Sequence, residues 1–243
     1  MKYQTDYSQH FPATTDRAKR TLKLQKVLRV LEDFLGHSLT GLRVLDMGCS
    51  IGVMTGYLAE SAHLAVGIDI DQGAIRQAAQ NGPQASLVIG DTGGAPFAPS
   101  TFDIIVCSQV YEHVPSLELL VAEMDRLLKQ DGVCFFSGPN RWRLIEPHYK
   151  LPFLSWLPRR AADWYVRLTG LGQEYYERPL SAKGLRRALY PFVIHDYTLR
   201  LLTEPARFAM EKEVGHLRYM PAWGWRILYP WLPNFNWILT KRA

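Results

Sequence analysis

The stretch VLDMGCSIG, residues 44–52, sets an acid and then two glycines directly behind an apolar run. A plain turn needs one glycine, for a positive φ. Two of them, with a helix beyond, indicate a backbone that makes room for a ligand. Asp69 in VGIDI and Asp91 in VIGDT also stand at or just after the ends of apolar runs. Asp69 follows Gly48 by 21 residues, near the separation at which an acid meets ribose. A carboxylate accepts from two vicinal hydroxyls at once, so the pattern reads as a nucleoside site. The order Gly48-Cys49-Ser50-Ile51-Gly52 fails the G-x-G-x-x-G pattern of dinucleotide sites, and the chain has no Gly-Lys pair for a P-loop.

The elements that must hold these acids alternate. A helix over 18–35 carries Leu24, Leu28, Leu31 and Leu35 at helical spacing and stops at Gly36, with Thr14–Asp16 offering caps. Strands are expected over 42–47, 64–70, 86–89, 102–107 and 133–137. Between them fall helices over 53–61, from Asp71 to Asn81-Gly82-Pro83, and from Ser116 to Gln130, with Asp131-Gly132 as a turn. Such alternation implies right-handed crossovers and a parallel sheet covered on both faces. Past Asn140 the rhythm breaks into aromatic, Pro- and Arg-rich sequence; a helix capped by Ser181 and strands over 192–199 and 235–241 follow.

At these residues the chain resembles the class I S-adenosylmethionine-dependent methyltransferases, of type 11 and the quinone-pathway O-methyltransferase kind. Asp46, Gly48 and Gly52 match the acid-x-G-x-G-x-G motif, and Ser50 stands where glycine is usual, fitting if its φ is ordinary. GIDID, GDTGGAPFAPSTFDIIVCSQVYEHV and LLKQDGVCFFSGPN match the later blocks in order, over about residues 42–140. The resemblance implies a doubly wound, seven-stranded, mostly parallel Rossmann-like α/β sheet whose last strand is antiparallel. It implies S-adenosyl-L-methionine as cofactor, held by Asp46, Gly48, Cys49, Ser50 and Gly52, by Asp69 and Ile70 at the ribose, by Asp91 and Thr92 at the adenine, and by Ser108. One domain is expected: a helical cover over 1–41, a cofactor half over 42–140, and substrate-side insertions over 141–183 and 203–234.

Methyl transfer to a hydroxyl benefits from a base near neutral pH, and histidine is the usual choice. His113, in YEHV beyond the fourth strand, is the first candidate; His148 and Tyr149, at the start of the aromatic insertion, are second. Packing, capping or a surface loop are the competing readings for all three, and His195, inside a strand, reads as structural. Quinone-pathway enzymes show an E-x-x-E-H run associated with a metal; here Gln109 replaces its first acid, so no metal site is carried over.

Charge divides the chain: residues 1–140 hold 11 basic and 15 acidic side chains, residues 141–243 hold 17 and 8, and all seven tryptophans lie in the second part. The insertions, with Tyr3, Tyr7 and His10, read as a lid suited to a lipid headgroup, a sugar face or an acidic aromatic, and a Trp-rich core under a basic surface is the competing reading. A small-molecule or lipid-like acceptor is expected, with peripheral membrane contact left open. A nucleic-acid target is disfavoured because CSQVYEHV lacks the Asn-Pro-Pro-aromatic type of motif, although the basic second part keeps RNA as an alternative. A non-catalytic, cofactor-binding interaction module is the other. No leader or spanning segment is read, since the charge-free stretch 227–240 has only 14 residues and two prolines, and three cysteines without a CxxC pair fit a reducing cytoplasm.

Overall fold

The computed structural model describes residues 17–80 and 85–242. Tyr3, Tyr7, His10, the caps at 14–16 and the stop at 81–83 lie outside the described residues. Helix α1 (Arg17–Leu35) ends at Gly36 in the left-handed region, as the sequence expects. Then come β1 (Arg43–Met47), α2 (Val53–Ser61), β2 (Leu64–Asp69), α3 (Gln72–Gln80), β3 (Ser86–Ile89), β4 (Phe102–Ser108), α4 (Leu117–Leu127) and β5 (Leu128–Pro139). After an irregular excursion containing α5 (Arg159–Leu168) follow α6 (Ala182–Ala188), β6 (Phe192–Asp196), α7 (Thr198–Thr203), α8 (Glu211–Val214), α9 (Ala222–Leu228) and β7 (Asn234–Lys241). Among the described residues these strands form one seven-stranded sheet, ordered β3-β2-β1-β4-β5-β7-β6, parallel except for β7, which runs antiparallel to both neighbours.

Alternation along the central strands builds two cores. Leu45, Ile105, Phe136 and Leu239 face α4 and α6, whereas Val44, Ile104, Phe135 and Ile238 face α1. The second core also takes Phe208, Met210, Trp225 and Leu232, so much of the 203–234 segment, expected on the substrate side, packs with α1 across a sheet face. There Asp33 of α1 accepts from Tyr197 Oη (2.8 Å) and Arg200 Nη1 (2.7 Å) and pairs with Arg207. Among the described residues no helix is long and apolar enough to cross a membrane.

Three boundaries depart from the sequence reading by three residues or more. Helix α4 stops at Leu127 rather than Gln130, because Leu128 is extended and pairs with Phe102. The expected turn at Asp131-Gly132 is therefore absorbed into β5, with a register shift opposite β4 between Phe102 and Ile104. Strand β6 ends at Asp196 rather than Leu199, where Asp196 Oδ1 accepts the Thr198 N–H (3.0 Å) and starts α7. The excursion over 141–180 closes on itself: Asn140 and Leu180 form a parallel bridge, and Arg141 N donates to Leu180 O (3.0 Å).

Candidate active site

The turn after β1 is pinned to the neighbouring strand. Gly48 and Cys49 N–H groups both donate to Ile68 O (2.8 and 3.2 Å), and buried Asp46 accepts from Thr55 Oγ1 (2.7 Å), tying β1 to α2. Gly48 and Gly52 both have positive φ, 74° and 69°. A Cβ on Gly48 would come within 2.5 Å of Val110, so the turn after β1 abuts the turn after β4.

Ser50 has a φ of 50°, in the left-handed region, not the ordinary value that would let serine replace glycine without strain. What holds it is its N–H, which donates to Asp69 Oδ2 (2.7 Å), while Asp71 N–H donates to Oδ1 (2.9 Å). A non-glycine residue here costs about 1 kcal/mol or more, partly offset by glycine's greater unfolded freedom. Ser50→Gly should raise the melting temperature by about 1–2 °C in calorimetry.

Asp69 and Asp91 stand on adjacent strand ends: Asp69 pairs with Ile89, and Gly90 N–H donates to Asp69 O (2.9 Å). Asp91 Oδ1 accepts the Gly93 N–H (2.8 Å), and Thr92 beside it is buried. Burial pushes the Asp69 carboxyl up, outweighing the hydrogen bonds from Asp71 and Ser50. Ile70 follows, half-buried. Cys49 is buried and its thiol pushed up by burial and by the Asp46 and Asp69 charges. Ser108 Oγ meets Ser137 Oγ (2.9 Å) across the ends of β4 and β5, and Gln109 follows with a φ of 60°.

The structure brings His113 and His148 together, their rings in edge contact at 5.7 Å. Burial and the His148 charge lower His113 to about 3, so its imidazole is neutral at physiological pH and a weaker base than the near-neutral one expected of it from the sequence. His148 Nδ1 meets Glu146 Oε1 (2.9 Å) and Glu177 Oε1 (3.4 Å). Burial alone would lower His148, but the Glu146 hydrogen bond and the charges of Glu177, Glu146 and Glu112 outweigh it and raise it. Burial lifts Glu112 and Glu177 to about 7 each. Tyr149, by contrast, belongs to the excursion's own small core with Leu154, Ala162, Val166 and Tyr175, and its hydroxyl donates to Glu174 O (3.1 Å). His195 is structural as expected, with Nε2 at 3.1 Å from Thr240 Oγ1 and its ring against Phe34.

Glu146 and Glu177 are the residues that sequence reasoning passed over, whereas Glu112 stood in YEHV beside His113 without a role. The signal of the first two was the rarity of acids among residues 141–243, two of which sit inside aromatic runs, EPHY and EYYERP.

Residues 45–136 match the methyltransferase-domain family. That stretch is a methyltransferase domain, and its motifs and the sheet order around it are those of the class I S-adenosylmethionine-dependent fold. Within that class the chain is similar to the ubiquinone biosynthesis O-methyltransferase of Methylococcus capsulatus, 34% identical over 131 residues, 52% of this chain and 55% of that one. It is also similar to the Bordetella pertussis protein of the same name, 27% identical over 176 residues, 67% and 71% of the two. The chain thus spans about half the length of the first and under three quarters of the second. The fold is shared with an S-adenosylmethionine-dependent methyltransferase from Mesorhizobium loti (TM-score 0.58, 16% identity, 84% and 92% covered). The plantazolicin methyltransferase BpumL, solved with SAH, shares it too (TM-score 0.63, 16% identity, 98% and 89% covered).

Proposed function

We propose that the chain transfers a methyl group to an oxygen of a small-molecule or lipid-like acceptor, with His113 at the acceptor hydroxyl. The observation that carries the reading is the contact of Gly48 with Val110. It sets the cofactor turn of β1 against the turn that holds His113, whose N–H donates to Val110 O (3.0 Å). Bound S-adenosylmethionine supplies an electrophilic methyl on a sulfonium. The chain's own share is to grip the nucleoside and align the acceptor: Asp69 and Ile70 at the ribose, Asp91 and Thr92 at the adenine, the 46–52 turn and Ser108 around the remainder. His113, neutral, accepts a hydrogen bond from the acceptor hydroxyl, and Glu112 Oε1 lies 3.8 Å from its Nε2. His148 lies behind it, and Tyr149 serves the fold of the excursion. The names of the relatives support a phenolic, quinone-like acceptor. Exposed Trp142, Phe153, Trp164 and Leu168 beside Arg159 and Arg160 support a hydrophobic one, met at or near a membrane surface.

A tritiated methyl donor, offered with a panel of catechols and phenols, a lipid extract and total RNA, tests the reading by where the label goes. Label in the phenols or lipids is the expected result; label in RNA alone overturns it. His113→Ala should lower turnover about 100-fold while leaving affinity for the demethylated cofactor within about 2-fold by calorimetry. Full turnover in that variant removes His113 from the chemistry.

A further inference from the structure

We propose that Glu146, His148 and Glu177 form a binding site for a divalent first-row transition cation. The three side chains offer ligand atoms that all lie within 4.8 Å of one another. His148 Nδ1 stands 2.9 Å from Glu146 Oε1 and 3.4 Å from Glu177 Oε1. A cation about 2.1 Å from each ligand keeps neighbouring ligand atoms roughly 3.0–3.4 Å apart, whether octahedral or tetrahedral, so these two pairs already have first-shell spacing. These residues belong to the 141–180 excursion, not to the run over 109–113 where Gln109 breaks the acid pattern.

The independent observation is Glu177 itself. It is 4% exposed, and neither of its carboxylate oxygens has a hydrogen-bond partner. Its charge contact is His148 Nδ1 at 3.4 Å, which already makes its closer contact with Glu146, so the buried carboxylate stays costly until a cation completes it. Glu146 is prepared in the opposite way: its Oε2 accepts the N–H groups of His148 (2.7 Å) and Tyr149 (2.8 Å), which fixes the carboxylate and turns Oε1 to the imidazole. Arg143, buried nearby, directs Nη2 to Asn234 Oδ1 (3.4 Å). With Glu112 the pocket holds three buried carboxylates, and a divalent charge balances what Arg143 leaves. One imidazole and two carboxylates suit zinc, manganese, iron or cobalt better than magnesium, which prefers oxygen alone. Three protein ligands leave at least one position for water or an acceptor oxygen.

The test uses the chelator-treated full chain and ZnCl2 or MnCl2, without methyl donor or acceptor. One equivalent should remain bound after gel filtration. Binding should weaken at least 100-fold in Glu177→Gln and in His148→Ala, and stay near the parent level in Glu112→Gln. No retained metal in the parent overturns the site. So does parent-like binding in E177Q, or a loss confined to E112Q. Should E177Q fail to fold, the visible spectrum of the parent with Co2+ decides: d–d bands that Zn2+ abolishes support the site, and their absence overturns it.

Discussion

Asp69→Ala should lower affinity for the demethylated cofactor at least 100-fold in titration calorimetry. An ionised carboxylate has about four acceptor positions. In the free protein two of them are used by Ser50 and Asp71 N–H groups, which leaves acceptor capacity for both ribose hydroxyls. Hydrogen bonds to a charged partner are worth about 1.5–3 kcal/mol each. Losing two therefore costs about 3 kcal/mol or more, and 1.4 kcal/mol is a factor of ten. Asp69→Asn separates binding from folding. Burial raises the Asp69 carboxyl above its ordinary value, so its contribution to stability is full below the unfolded pKa and is lost as pH rises through the folded one. At neutral pH the ionised carboxylate is thus a cost to the fold. Asp69→Asn sheds that charge but trades one accepting oxygen for an NH2 that cannot take the Ser50 or Asp71 N–H, so it should still fold at pH 7.5, melting within about 4 °C of the parent, while losing at least 10-fold in affinity. Parent-like affinity in Asp69→Ala would remove the ribose assignment.

The elements most legible from sequence were those whose limits are set locally. Helix α2 begins after Gly52 and strand β3 covers four apolar-flanked residues, and both match the expected ranges. Elements decided by distant partners were not legible. Nothing local in LLKQDG tells that Leu128 pairs with Phe102 and that Thr101 N–H takes Leu127 O (2.9 Å), yet those contacts end α4. The same divide runs through the site. Asp46, Asp69 and Asp91 are visible because each stands at or just past the end of a strand of the parallel sheet. Glu146 and Glu177 lie 31 residues apart in irregular sequence, and only the closure of the excursion at Asn140 and Leu180 joins them. Ser50 and Gln109 are a third kind of miss: side chains held at positive φ where a turn is over-determined by its neighbours, which is where strain collects near functional sites.

That closure is braced by the Tyr111 ring, and Gly138→Ala should disturb it. Gly138 lies in β5 opposite Phe235, and a Cβ there would stand 2.2 Å from Tyr111 Cε1 and 2.4 Å from Cδ1. Tyr111 cannot swing aside cheaply: it is buried against Phe136, its hydroxyl donates to Pro139 O, and it accepts the Leu180 N–H (3.0 Å). Backbone on one side and a pinned aromatic on the other put the substitution at the upper end of overpacking costs, about 3 kcal/mol. For a chain of this length that is a loss of roughly 10 °C in melting temperature. Because Tyr111 also joins the turn bearing His113 to the end of the excursion, turnover should fall at least 10-fold while cofactor affinity, set mainly by the acids after β1 to β3, stays within about 3-fold. A double-mutant cycle isolates the cause. With the ring already removed in Tyr111→Val, the added methyl at 138 has space and should cost under about 1 kcal/mol. An equal cost in both backgrounds would show that the ring is not what the methyl strikes, and that Tyr111 does not couple the sheet to the histidine turn.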